Sequence, residues 1–270
     1  MATKKTETKH IDEAAKDAEA KIDASLFSAG DTVDFNEGLD SNAYSIPFLG
    51  ILQGLSPAVQ RGGAAYIQGA QAGQILNTVT REVLDEVCVS VVRRSHTLCY
   101  WTPRDDGGGF IREEQVNIEN LRKFSELTPD DKGRRINSDL LEVTEHRNFW
   151  CVILRDDRDP APALISMTKS QLKVARDWNT LIAEKSAKVR TATGNSPVLH
   201  SGIWLLKTKL RTKGENNWYV WDVGFLALHN SVETVTHVRA AVEFARTQTD
   251  VARQLEHIPE PPVGGDAGEM

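Results

Sequence analysis

Apolar, β-branched and aromatic side chains gather in six runs along the chain: Gln74–Val79, Val87–Trp101, Asn148–Leu154, Ala163–Met167, Gly202–Arg211 and Trp218–Leu226. Bounded by Gly, Pro, Asn or Asp, these runs are expected to be strands. A helical period shows in two places. From Thr168 to about Lys188, Leu172, Ala175, Leu181 and Ile182 recur at helical spacing, and from about Ser231 to Leu255 so do Val235, Val238, Val242, Ala245 and Leu255. Several short strands, two helices and no internal repeat predict a mainly β fold with some α, either α+β or barrel-like, and not a parallel βαβ repeat.

Both ends depart from this pattern. Residues 1–45 hold ten acids against five lysines and cannot bury enough apolar surface to offset the entropy of ordering, so a disordered acidic N-terminal arm is expected. Residues 258–270 combine three prolines, three glycines and acids, which predicts a disordered acidic C-terminal tail. The folded domain is then 46–257. Within it, residues 105–147 form a long charged insertion carrying Arg122, Lys123, Lys132, Arg134 and Arg135; loops of that length are usually functional or mobile. Gly107-Gly108-Gly109 lacks the spacing of a phosphate loop and is expected to be flexible.

Composition narrows the function. The 270 residues, 40% of them hydrophobic, are enough for a real core. No apolar run approaches the roughly 20 residues of a membrane helix, so a cytoplasmic protein without membrane contact is expected. Cys88, Cys99 and Cys151 have no CxxC spacing and suggest buried thiols. The seven histidines form no HxxxH or HExxH pair, so neither a metal nor another cofactor is expected.

Charge is unevenly spread. The chain carries a net −6, yet the window Lys169–Lys213 holds ten cations against Asp177 and Glu184. In the predicted hairpin that ends this window, Lys207, Lys209 and Arg211 share one strand face, with Lys213 just beyond them. The chain turns over Thr212–Asn217, a loop longer than the tightest two-residue form, and returns with Tyr219, Trp221, Val223 and Phe225 on one face and Trp218, Val220 and Asp222 on the other. Arg93, Arg94 and His96 followed by Tyr100 and Trp101 repeat the mixture of cations and rings; Arg147 beside Phe149 and Trp150 is a weaker third instance.

Such a mixture suits single-stranded nucleic acid, because cations neutralise phosphates and rings stack on unpaired bases for roughly 1–3 kcal/mol each. Core tryptophans and an ordinary solvated strand face explain the same residues one at a time. Catalytic constellations are poor. Asp156, Asp157 and Asp159 alternate with Arg155 and Arg158 before Pro160, as in a plain charged turn, and no enzyme is expected.

Ile46–Pro57, Ala72–Thr80, Tyr100-Trp101-Thr102-Pro103-Arg104 with Gly107-Gly108-Gly109-Phe110, and Asn217–Trp221 resemble segments of a group of phage-encoded proteins described as single-stranded DNA-binding proteins with an OB-type barrel. The resemblance implies an OB-like antiparallel β-barrel and an acidic tail that recruits replication partners or competes with DNA.

The sequence therefore predicts sequence-nonspecific binding and protection of single-stranded DNA in phage replication or recombination. The expected contacts are Lys207, Lys209, Arg211, Lys213, Tyr219, Trp221, Arg93, Arg94, Tyr100 and Trp101. Replication or recombination proteins and further copies of the chain stay open as partners. The alternative is a phage structural or subunit-interaction protein whose aromatic strands form an interface. A DNA-processing enzyme built on the acids near Asp156 is the weaker third reading.

Overall fold

Strand β4, Val87–Thr102, is the spine of the main sheet. One of its edges pairs along nearly its whole length with β6 (Glu142–Leu154), and β7 (Ala161–Thr168) pairs with β6 beyond it. The other edge is shared: β8 (Gly202–Lys213) takes Val87–Ser90, while β5 (Gly109–Gln115) takes Thr97–Thr102. Strand β9 (Asn216–Leu228) completes the hairpin with β8, and all these pairings are antiparallel. The computed structural model describes residues 47–155, 160–194, 197 and 199–228. The acidic arm at 1–45, the helix expected from Ser231, the tail at 258–270 and the group Asp156, Asp157 and Asp159 lie outside the described residues.

The six runs read from the sequence all contain strand. A second, three-stranded sheet, β1 (Leu49–Ile51), β2 (Ile75–Asn77) and β3 (Val83–Leu84), packs Leu49 and Ile75 into the core of the first. Helix α1 (Ile118–Glu126) opens with a reciprocal capping box between Asn117 and Asn120. Helix α2 (Leu172–Thr193) follows one turn of 3₁₀ helix and buries Ala175, Trp178 and Ile182. Trp178 meets Phe149 of β6 and Trp204 of β8, so the helix is fixed to the sheet by three aromatic rings as well as by aliphatic packing.

The expected OB-like barrel is not closed among the described residues. The strand path runs from β7 to β9 and does not return on itself. Glutamine amides occupy part of the β9 edge that closure would pair with a strand. Tyr219 N–H donates to Gln53 Oε1 at 2.8 Å and its carbonyl accepts from Gln53 Nε2 at 2.9 Å; Trp221 N–H donates to Gln171 Oε1 at 3.1 Å. A primary amide offers the donor and acceptor of a backbone peptide, so these side chains stand in for a neighbouring strand. Close approach also fixes Gly73: its φ is +93°, and a Cβ there would lie 2.5 Å from the Tyr219 ring.

The charged insertion is not a structureless loop. Besides β5 and α1 it builds a small core in which Val116, Phe124 and Leu127 pack on Leu98, Tyr100 and Val143. Gly107, Gly108 and Gly109, all at positive φ, form a defined turn in which Gly107 and Gly108 donate to the carbonyls of Arg104 and Pro103. The β8–β9 turn is also tighter than expected: Lys213 pairs with Asn216, leaving only Gly214 and Glu215 between the strands.

Candidate nucleic-acid interface

A bulge decides where the arginines of β4 point. Val91 pairs with Cys151 and Arg93 with Trp150, so Val92 is an extra residue opposite β6 and the side-chain alternation slips by one. Before the bulge Val87, Val89 and Val91 face α2; after it Arg94, His96, Leu98 and Tyr100 do. Arg93, paired with Trp150, falls on the opposite face. The adjacent arginines predicted as one site thus alternate in direction, yet both contribute to the lining of the groove beside α2.

On the α2 face the cross-strand pairs Arg94–Phe149 and His96–Arg147 lie between two covered ends. Phe149 is under α2, and Tyr100–Val143 is under α1, about 20 Å further along the strand. The groove has a volume of about 490 Å³ and is lined by Arg94, His96, Arg147, Asn148, Phe149 and Asn179 among others, with no carboxylate in its wall. Arg94 Nη1 donates to Asn179 Oδ1 at 2.6 Å, and partial burial lowers its pKa. Among the described residues no carboxylate pairs with Arg94. Glu145, next along β6, accepts from His96 Nε2 at 2.8 Å and from Arg147 Nε at 3.3 Å, which holds those two side chains in place and neutralises part of the Arg147 charge.

On the hairpin, Lys207, Lys209 and Arg211 do share a face, but carboxylates accompany them. Lys207 Nζ lies 2.5 Å from Glu86, which raises the lysine pKa, and Lys209 pairs with Asp222. Lys213 is exposed at the turn. Register places Trp218 across from Arg211 and Val220 across from Lys209, while Trp221 lies across from Thr208 on the other face. Trp221 is 2% exposed and belongs to the main core, so it offers no ring to a base. Tyr219, half-buried, is packed over Gly73.

Tyr100 is also buried; its hydroxyl donates to Glu114 Oε2 at 3.0 Å and Arg112 lies over its ring at 4.1 Å. Burial, followed by the Glu114 contact, raises its pKa. Trp101 remains accessible in part. It meets Phe110 edge-on at 5.2 Å and stacks on His146 at 6.4 Å, and Phe110 is 55% exposed. This patch lies on the sheet face opposite Arg94. Burial pushes the His146 pKa down to about 4, and its Nδ1 lies 2.8 Å from Ser166 Oγ.

The ten predicted contacts therefore fall into separate places. The structure unites Arg94 with His96 and Arg147, joins Arg211 to Trp218, and removes Trp221 and Tyr100 from the surface. Asn179 and Lys173, not singled out from the sequence, enter because α2 crosses the sheet between the grooves. Pairing the hairpin on its two-residue turn is the signal that places Trp218, not Trp221, beside the cations.

The family model described as Pam3 phage gp34-like protein matches residues 17–254. No curated protein and no solved structure matches the chain. Among the described residues no helix is long and apolar enough to cross a membrane.

Proposed function

The chain belongs to the Pam3 phage gp34-like family, and from that premise we propose that it binds single-stranded DNA without sequence preference, chiefly through the backbone phosphates. One observation carries the proposal: Arg94 and Arg147 line one groove whose wall contains no carboxylate. The neutral Asn179 amide is the hydrogen-bond partner of the Arg94 guanidinium. A phosphate supplies the counter-charge that Arg94 lacks, while Arg147 is already paired with Glu145, and it suits the planar donor fork of arginine. The accessible rings Trp101 and Phe110 lie on the sheet face opposite Arg94, so phosphate contacts dominate at the groove. In a phage the corresponding task is protection of single strands exposed during replication or recombination. Titration of labelled oligo-dT at two salt concentrations tests the reading; affinity must fall steeply as salt rises, and affinity independent of salt rejects phosphate-led binding.

A second reading rests on Leu210 and Leu226, which are 53% and 57% exposed on the β8–β9 hairpin. In that reading they form a contact between copies of the chain. It requires a larger-than-monomer mass by light scattering without DNA, reduced to the monomer by Leu210→Asn with Leu226→Asn.

A further inference from the structure

Arg94 and Arg147 are held by acceptors of different charge. Arg94 Nη1 donates to the neutral amide of Asn179 at 2.6 Å. Arg147 donates to the carboxylate of Glu145, from Nε at 3.3 Å and from Nη2 at 3.4 Å. Both of these bonds, and the 2.8 Å contact of His96 Nε2, end on the same oxygen, Oε1. The fit to Arg147 is poor: charge-assisted N–H···O bonds run at about 2.7–2.9 Å, and a guanidinium fork is matched by two oxygens. Position explains it. Glu145 stands two residues before Arg147 on the same strand and the same face, opposite Leu98, and its side chain is 14% exposed against 21% for Arg147. From there the carboxylate reaches Arg147 from the side, and it is not part of the groove wall.

We propose that Glu145 is an internal competitor for phosphate: when a strand enters the groove, Arg147 exchanges the one carboxylate oxygen for phosphate oxygens, and this exchange sets the affinity below what two free arginines would give. The inference rests on the strand binding at Arg94 and Arg147 proposed above. Without DNA, the contact keeps the Arg147 guanidinium in place at the groove wall. With DNA, the phosphate offers the paired oxygens that Glu145 does not, and the carboxylate is left beside a bound anion. Like charges repel, so this capture is weaker than the capture of phosphate by Arg94, whose Asn179 partner carries no charge. Partly exposed ion pairs are worth little, so the competitor tunes release of the strand and does not block its entry.

Titration of labelled oligo-dT across a salt series tests this, using the full chain, Glu145→Gln and Asn179→Asp. Glutamine keeps an oxygen for His96 and Arg147 while removing the charge, and aspartate at position 179 gives Arg94 the kind of partner that Arg147 has. Binding should be about threefold tighter in Glu145→Gln and about threefold weaker in Asn179→Asp, the order set by a partly exposed ion pair. Both log–log salt slopes should equal the parent's, because the anion exchanged belongs to the chain and is not a counterion from solution. Unchanged binding in either variant overturns the proposal. So does weaker binding in Glu145→Gln, which would make Glu145 a positioning residue for Arg147. A slope steeper by about 0.7 in Glu145→Gln also overturns it, since Arg147 would then gain a phosphate contact that it lacks in the parent. A parent chain without salt-dependent oligo-dT binding removes the strand-binding reading and this inference with it. A parent that binds as expected, with Glu145→Gln no tighter, removes the competitor alone.

Discussion

The rings of Phe149 and Trp178 are stacked, with centroids 4.2 Å apart and planes 18° apart. Phe149 lines the groove that holds Arg94 and Arg147, and Trp178 lines the cavity that holds Arg211. One contact between β6 and α2 thus sets the positions of two cationic depressions on either side of the helix.

Burial of Trp221 predicts the outcome of removing it. Trp221→Ala should cost about 3–5 kcal/mol of folding stability, because a large ring is deleted from the core. Urea unfolding measures this, and oligo-dT affinity of the fraction that remains folded should match the parent. A fully stable variant with weakened DNA binding would return Trp221 to the interface.

The long strands were legible because their β-branched and aromatic runs are bounded by turn residues, and α2 was legible from Leu172, Ala175, Leu181 and Ile182 at helical spacing. Shorter elements were not. Strands β1 and β3 span three and two residues, too few for a period to show, and α1 buries no residue completely, so its sequence looked like a charged insertion. The face of Arg94 depended on the bulge at Val92, which no alternation rule reveals. The Trp221 reading failed for a different reason. Both hairpin faces carry aromatics, and only cross-strand register shows that the cations are opposite Trp218 and Val220.

Gln53 and Gln171 occupy hydrogen-bonding positions on the β9 edge, so losing both should loosen the hairpin. Replacing each with Leu leaves backbone groups of Tyr219 and Trp221 without partners, at about 1–3 kcal/mol per substitution. Hydrogen exchange should accelerate at the Tyr219 and Trp221 amides ahead of those of β4. Unchanged protection at both amides contradicts the edge-capping role.

His146 gives the fold an acid-sensitive element. Burial holds its pKa at about 4 against 6.5 for the free ring, so the folded state prefers the neutral form. As pH falls below about 6.5 the unfolded chain binds a proton that the folded chain refuses, and stability declines until about pH 4, where the folded state also protonates. Above 6.5 this group contributes no slope. Unfolding midpoints between pH 7 and 4 should fall less steeply for His146→Gln than for the parent; equal slopes would remove His146 as a source of acid sensitivity.

The central claim is that phosphate is held by Arg94 and Arg147, and the salt dependence of oligo-dT binding in Arg94→Gln with Arg147→Gln tests it most directly. Two lost contacts should weaken binding and lower the log–log salt slope by about 1.4, at roughly 0.7 per contact on a single strand. Replacing Lys207 and Lys209, which have carboxylate partners and lie outside the groove that holds the unpaired Arg94, should change the slope less. A folded double-arginine variant with the parent's affinity and slope would contradict the account.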